Sequence, residues 1–179
     1  SALDRLEVRG RDSAGLQVTV WDHEIDQDDP EVVARSADPL HRSGSVRVLD
    51  GGGLAFVVKA SAEIGELGDN TAVLRSALAA DGLLARALAA PAVQGSLLGH
   101  TRWASVGLIS EPNAHPVDST RADGEPVPLV TAVQNGDVDN HADLVASEGL
   151  SLAPEITTDA KVVPALCAVH LAAGCERLE

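Results

Sequence analysis

The feature that most constrains this chain lies between residues 45 and 58. Ser45-Val46-Arg47-Val48-Leu49 and Leu54-Ala55-Phe56-Val57-Val58 flank Asp50-Gly51-Gly52-Gly53, and two short β-prone runs around a glycine turn read as a β-hairpin. A hairpin is antiparallel by construction, so part of the core has to be an antiparallel sheet. The glycine run is not read as a phosphate loop, because no Gly-Lys-Ser/Thr follows it and no helical pattern opens there. With aromatic residues at 2% of the 179, that core must be built from Ala, Val, Leu and Ile.

Around the hairpin, strand and helix patterns are mixed. Residues 16–21 alternate as a half-buried strand, and residues 129–133 form an apolar run expected to be a buried strand. Residues 3–8 look like the last turns of a helix with Leu3 and Leu6 on one face, ended by the loop Arg9-Gly10-Arg11-Asp12-Ser13-Ala14-Gly15. Further helices are expected at residues 61–67, from a cap at Asp69 or Asn70 to 79, and at 83–90, with Leu74, Leu78, Leu84 and Leu88 as packing positions. Asn140 should cap a helix over 141–148, and Thr158 or Asp159 an amphipathic helix ending at Leu171. The acidic stretch from about 22 to 44, with Asp26, Asp28, Asp29 and Glu31 around Pro30, reads as a solvated surface excursion that a cation could use. One domain over 1–179 is expected, in the α+β class.

Charge narrows the partners. A formal charge of −14 and a pI near 4.6 argue against nucleic acid and against anionic membrane surfaces. No apolar run reaches the ~18 residues of a bilayer span, and the first residues are too charged for a secretory signal, so the expected location is cytoplasmic. Cys167 and Cys175 on one helix would be separated by about 12 Å of rise, too far for a disulfide. Cys167 with His170 has the spacing of half a metal site, but a site needs more ligands, and no metal is assigned.

The stretch that carries chemistry is Gly99-His100-Thr101-Arg102-Trp103-Ala104-Ser105-Val106-Gly107, read as a strand end entering a turn. The Arg102 guanidinium is a planar fork that matches a carboxylate, and the Trp103 indole beside it could wall off a pocket. The plain alternative is an exposed ion pair and a core tryptophan. Residues 129–133 deliver Gln134-Asn135-Gly136-Asp137, where Asn-Gly is either a turn or a pair of hydrogen-bond donors.

Four motifs occur in one order: Arg9-Gly10-Arg11-Asp12-Ser13-Ala14-Gly15; Gly99 to Ser105; Asn113-Ala114-His115-Pro116; and Asn135-Gly136 followed by Asn140-His141. Together they resemble the class II (N-terminal-nucleophile) glutamine amidotransferases, most of all the glutaminase domains of the glutamine–fructose-6-phosphate aminotransferases. The resemblance implies a four-layer α/β/β/α sandwich of the N-terminal-nucleophile hydrolase type. It also implies hydrolysis of L-glutamine to glutamate and ammonia, without a cofactor, and transfer of the ammonia to a sugar phosphate by a sugar-phosphate isomerase or synthase domain. Asn135 and Gly136 then correspond to the oxyanion hole. Arg102 matches the group that takes the α-carboxylate and Asp159 the group that takes the α-ammonium, with a helix cap as the other role for Asp159. Trp103 would cover the substrate, and Ser105 stands where the family commonly has Thr. Arg9, Asp12, Ser13, His100 and His115 belong to the structural loops of the motifs, the histidines being hydrogen-bonding residues rather than bases. The family base is the α-amino group of an N-terminal Cys.

That Cys is not in this sequence. Ser1 lies too close to Arg9 to take its place, and neither Cys167 nor Cys175 matches it, so the chain as given is expected to be a catalytically incomplete fragment, short at the N-terminus and before the family's C-terminal strands. Two rival readings remain: an acceptor such as phosphoribosyl pyrophosphate, or a degenerate non-catalytic module that binds glutamine for regulation. The oligomeric state is open, a homodimer included.

Overall fold

The computed structural model describes residues 2–61 and 66–175. A short helix α1 (Ala2–Leu6) and a 3-10 turn (Glu7–Arg9) lead into β1 (Ser13–Trp21), followed by α2 (Pro30–Ser36), β2 (Val46–Val48) and β3 (Leu54–Ser61). Helices α3 (Asp69–Ala80) and α4 (Gly82–Leu88) precede β4 (Gln94–Arg102). A 3-10 turn (Glu111–Asn113), two short strands β5 (Val117–Asp118) and β6 (Thr131–Ala132), α5 (His141–Ser147), a 3-10 turn (Asp159–Lys161) and α6 (Val162–Ala172) complete the order.

The hairpin forms as its sequence requires, Val46 opposite Phe56 and Val48 opposite Leu54, and it is one edge of a four-stranded antiparallel sheet in the order β2-β3-β1-β4. A second, two-stranded antiparallel sheet pairs β5 with β6. Helices and antiparallel strands thus share the chain, as the α+β expectation has it.

The period of two in β1 gives the main sheet two unlike faces. Ala14, Val18 and Val20 point with Leu54, Phe56 and Val58 to one side, where Leu74 of α3 and Leu83, Leu84 and Ala87 of α4 close the core. The opposite face carries Ser13, Gly15, Gln17 and Thr19 of β1, Lys59 of β3, and His100 and Arg102 of β4, by register and alternation. Sequence alternation in β1 therefore separates a packing face from a polar face.

The polar face is closed by ionic contacts. Asp118 on β5 accepts from Arg47 Nε at 2.9 Å and Thr120 Oγ1 at 2.9 Å, and Lys161 Nζ lies 3.2 Å from its other oxygen. His41 Nδ1 stands 3.3 Å from the same carboxylate. These cations hold Asp118 well below the usual carboxylate range against the cost of burial, and burial pushes His41 down to about 3. Lys59 is fully buried beside this group, its Nζ has no hydrogen-bond partner among the described residues, and burial pushes it down to about 7.

Several expectations need correction. Residues 61–67 are not a helix as far as they are described: Ser61 ends β3, Leu67 lies in a turn, and 62–65 fall outside the described residues. The stretch at 22–44 is more than a solvated excursion. Asp29 caps α2 through Glu31 N, Val32 enters the core and His41 is buried. Residues 129–133 yield only the two half-buried residues of β6, because β5 offers a partner just two residues long. The loop before β1 ends earlier than expected, at Asp12, and β4 runs on to Arg102, because each strand extends against the other. Asn140 and Thr158 occupy cap positions without side-chain cap bonds, and Asp159 lies inside the 3-10 turn.

Candidate functional site

The pairing of β1 with β4 sets Ser13 opposite Arg102 and Gly15 opposite His100, so two motifs about 90 residues apart meet side by side. Two further bonds fasten them: Asp12 N donates to Arg102 O at 3.2 Å, and Ala104 N donates to Asp12 Oδ2 at 2.7 Å. Gly15 lets a third motif approach. A Cβ there would lie 2.0 Å from the His115 carbonyl oxygen, so only glycine leaves room for the Asn113-Ala114-His115-Pro116 loop on the sheet. His115 then reaches His100, Nδ1 to Nδ1 at 3.2 Å with the rings edge to face.

The fourth segment comes from a buried asparagine. Asn113 Oδ1 accepts from Thr157 N at 2.7 Å and Thr158 N at 2.8 Å, while its Nδ2 donates to Ser110 Oγ and Glu155 O. The strand-like backbone before Asp159 is thereby tied to the His115 loop. Gly107, at φ +86°, turns the chain after Trp103 tightly under the same segment, where a Cβ would meet Thr157 O at 2.6 Å. Leu108 N donates to Thr157 Oγ1 at 2.8 Å.

These fastenings enclose a cleft of about 420 Å³. Of the residues singled out from sequence, Arg102, Trp103, Ser105, Asn135, Gly136 and Asp159 line it, as do Arg9, His100 and His115. Asp12 and Ser13 are not on the wall and support it from behind through the bonds and pairing described above. Arg102 is 5% exposed and is no surface ion pair; its Nη1 donates to Leu108 O at 3.3 Å and its Nη2 to Val106 O. Burial lowers its pKa, opposed by the carboxylates of Asp159 and Asp12. Trp103 is 68% exposed, so it flanks the cleft and does not plug the core.

Asp159 is buried, and its Oδ2 accepts from Val138 N at 2.6 Å. Ser105 Oγ donates to Asp137 Oδ1. Both bonds hold the segment 134–138, which carries Asn135 and Gly136 exposed at the cleft mouth. Arg102, Asp159, Asn135 and Gly136 therefore line one space. Chemically, that combination can hold a zwitterion and donate hydrogen bonds to a polarised carbonyl. Asn113 and Asp137 are the residues whose roles sequence reasoning missed. Asn113 was visible inside a motif, but all its partners except Ser110 lie 42–45 residues away.

Cys167 on α6 and Cys175 lie outside the cleft lining. Among the described residues no group of three or more His, Cys, Asp or Glu is placed to hold a metal ion. Among the described residues no helix is long and apolar enough to cross a membrane.

No family model matches the chain, and no solved structure matches it. Curated proteins do. A protein of Nostoc sp. (strain PCC 9229) is 30% identical over 171 residues, which are 94% of this chain and 18% of that protein. Relatives from Caulobacter vibrioides (39% over 83 residues) and Gloeobacter violaceus (40% over 78 residues) match 46% and 42% of the chain and 12% of their own length. The chain thus spans less than a fifth of the length of these relatives. Over the matched portions it is similar to proteins that all carry one name, glutamine–fructose-6-phosphate aminotransferase (isomerizing).

Proposed function

We propose that the cleft binds L-glutamine and hydrolyses its side-chain amide, as the glutaminase half of a class II amidotransferase that passes ammonia to a sugar phosphate. The observation that carries this reading is the presence of Arg102, Asp159, Asn135 and Gly136 around one cleft of about 420 Å³, large enough to admit a free amino acid. Free glutamine presents a carboxylate and an ammonium on one carbon, and a buried guanidinium near a buried carboxylate complements both. Asn135 Nδ2 and the Gly136 N–H then donate to the amide oxygen as it takes on negative charge. Trp103 screens the reacting amide from bulk water.

On this reading the nucleophile is the N-terminal cysteine that the family resemblance implies, which is not among residues 1–179. Its thiolate attacks the amide carbon, the C–N bond breaks with proton transfer to the departing ammonia, and water releases glutamate from the γ-glutamyl thioester. The α-amino group of that cysteine is the base, which leaves His100 and His115 structural. Residues 1–179 belong to a four-layer α/β/β/α domain of the N-terminal-nucleophile type, acting in the cytoplasm. The names of the relatives support fructose 6-phosphate as the acceptor, giving glucosamine 6-phosphate in a sugar-isomerase domain.

The test is glutamate release by the full-length protein. Asn135→Ala should lower kcat by about 10²–10³ with little change in the glutamine KM, the signature of a lost transition-state donor. Arg102→Lys and Asp159→Asn should chiefly raise KM. A full-length protein that binds glutamine without releasing glutamate would instead be a regulatory module, and an Asn135→Ala variant as fast as the parent would remove the oxyanion assignment.

A further inference from the structure

Residues 4–12 hold three acids and three arginines, and among the described residues none of these acids pairs with an arginine of the same segment. Glu7 is fully buried, with its Oε2 accepting from Thr71 Oγ1 at 3.2 Å. Asp4 accepts from Arg75 at 2.6 Å, and Asp12 from Ala104 N at 2.7 Å. What the segment leaves exposed is therefore Arg5, Leu6, Val8, Arg9 and Arg11, with Leu6 at 47% and Val8 at 62%. The side chains of the three arginines make no hydrogen bond or ion pair among the described residues.

Elsewhere on the surface arginines do find partners. Arg35, Arg42, Arg75, Arg86 and Arg121 each pair with a carboxylate. In a chain with 27 Asp and Glu against 13 Lys and Arg, three unpaired arginines within residues 5–11 make a basic strip on an acidic molecule. The strip adjoins the cleft: Leu6 and Arg9 line it together with Trp103, and Thr101 Oγ1 donates to Leu6 O at 3.2 Å, which fastens the strip to β4. Arginine beside exposed apolar and aromatic side chains is the composition that protein–protein interfaces favour. A formal charge of −14 repels an acidic partner from the rest of the molecule, so electrostatics both attracts and orients such a partner here. A nucleic acid would run its phosphates past that acidic remainder and has no use for Leu6 and Val8.

We propose that Arg5, Leu6, Val8, Arg9 and Arg11 form the docking face for an acidic, partly apolar protein surface, carried by the ammonia-accepting part of the full-length protein and seated at the mouth of the cleft. Carboxylates of that surface answer the arginines, and its apolar side chains cover Leu6 and Val8. Ammonia leaving the cleft then passes toward the acceptor instead of into bulk water. The identity of the partner rests on the glutaminase reading; the docking face itself does not.

Two measurements on the full-length protein test this. In Arg5→Lys/Arg11→Lys, zero-length carbodiimide coupling should link the introduced amines to carboxylates outside residues 1–179, links absent from the parent and weakened by high salt. No new links, or links confined to carboxylates of residues 1–179 within or between copies, overturn the proposal. Arg5→Glu/Arg11→Glu, with Arg9 left in place at the cleft, should keep the rate of glutamate release within about twofold and lower the amino sugar formed per glutamate at least about threefold. Coupling equal to the parent's in that variant removes the docking role. Outside links in a parent that releases no glutamate would sink the glutaminase reading and the partner's part in ammonia transfer, leaving the docking face standing.

Discussion

Replacing Lys59 by methionine should stabilise the protein, and the size of the gain follows from where its amine sits. Lys59 is 1% exposed on the polar face of the main sheet, with its Nζ unpaired among the described residues. Burial lowers it to about 7, with Asp118 opposing and Lys161 and Arg47 adding to the shift. Asp118 is already answered by Arg47 and Lys161, so it has little left to offer a third cation. In the unfolded chain the same amine titrates near the ordinary lysine value of 10.5. Keeping it below that value costs up to about 5 kcal/mol at pH 7, and relaxation of the site takes part of that back. Lys59→Met fills the same volume without a charge, so a gain of about 2–3 kcal/mol is expected at pH 7.

The pH dependence carries the sharper test. Between about 7 and 10.5 the unfolded state binds more protons at this site than the folded one, so wild-type stability rises with pH there. The advantage of Lys59→Met should therefore shrink as pH rises, by about 1.4 kcal/mol per unit at most. Lys161 is lowered by the same burial and keeps some of that slope in the variant. Urea unfolding of both proteins at pH 7.0 and 9.5 measures the difference. A variant less stable than wild type at pH 7, or a gain equal at both pH values, would refute the account of Lys59 as an unpaired buried amine.

Two other substitutions probe the fastenings of the cleft. Gly15→Ala places a Cβ 2.0 Å from the His115 carbonyl and should cost about 3 kcal/mol or more, read as a lowered thermal midpoint. Asn113→Ala leaves the Thr157 and Thr158 N–H groups without their acceptor and should cost about 2–4 kcal/mol in urea unfolding, while raising the glutamine KM of the full-length protein by loosening Asp159.

Local pattern reaches the strands and helices of this chain far better than it reaches their lengths. The hairpin at 46–58 and helices α3 and α4 are legible because glycine turns and leucine spacing are local signals, although α3 is capped by Gly68 and not, as expected, by Asp69 or Asn70. Strand lengths are not local: β4 continues through His100 to Arg102 because β1 lies beside it, and β6 stops at two residues because β5 does. The acidic stretch misleads for a related reason. Some of its carboxylates are spent on pairing, Asp29 with Arg86 at 2.7 Å and Asp38 with Arg42 at 3.1 Å, and the charged segment folds around the buried Val32 and His41. The network on Asp118 is invisible in sequence, since Arg47, Lys161 and Asp118 are separated by 71 and 43 residues.

The candidate site differs from the fold in what made it readable. Arg102, Asn135 and Asp159 stand in short motifs whose wording alone suggests them, but nothing local tells that each also serves the architecture of the cleft. Arg102 spends donors on Val106 and Leu108 carbonyls, Asp159 spends an oxygen on Val138 N, and Ser105 spends its hydroxyl on Asp137. A guanidinium still has further N–H groups and a carboxylate a second oxygen, so residues with several hydrogen-bonding positions can hold the wall and face the cavity at once. A hydroxyl donates only one hydrogen, and in Ser105 it is used. On that ground the walls predict a division of labour: Arg102 and Asp159 would hold a zwitterion directly, whereas Ser105 would act on it through Asp137 and the placement of Asn135 and Gly136.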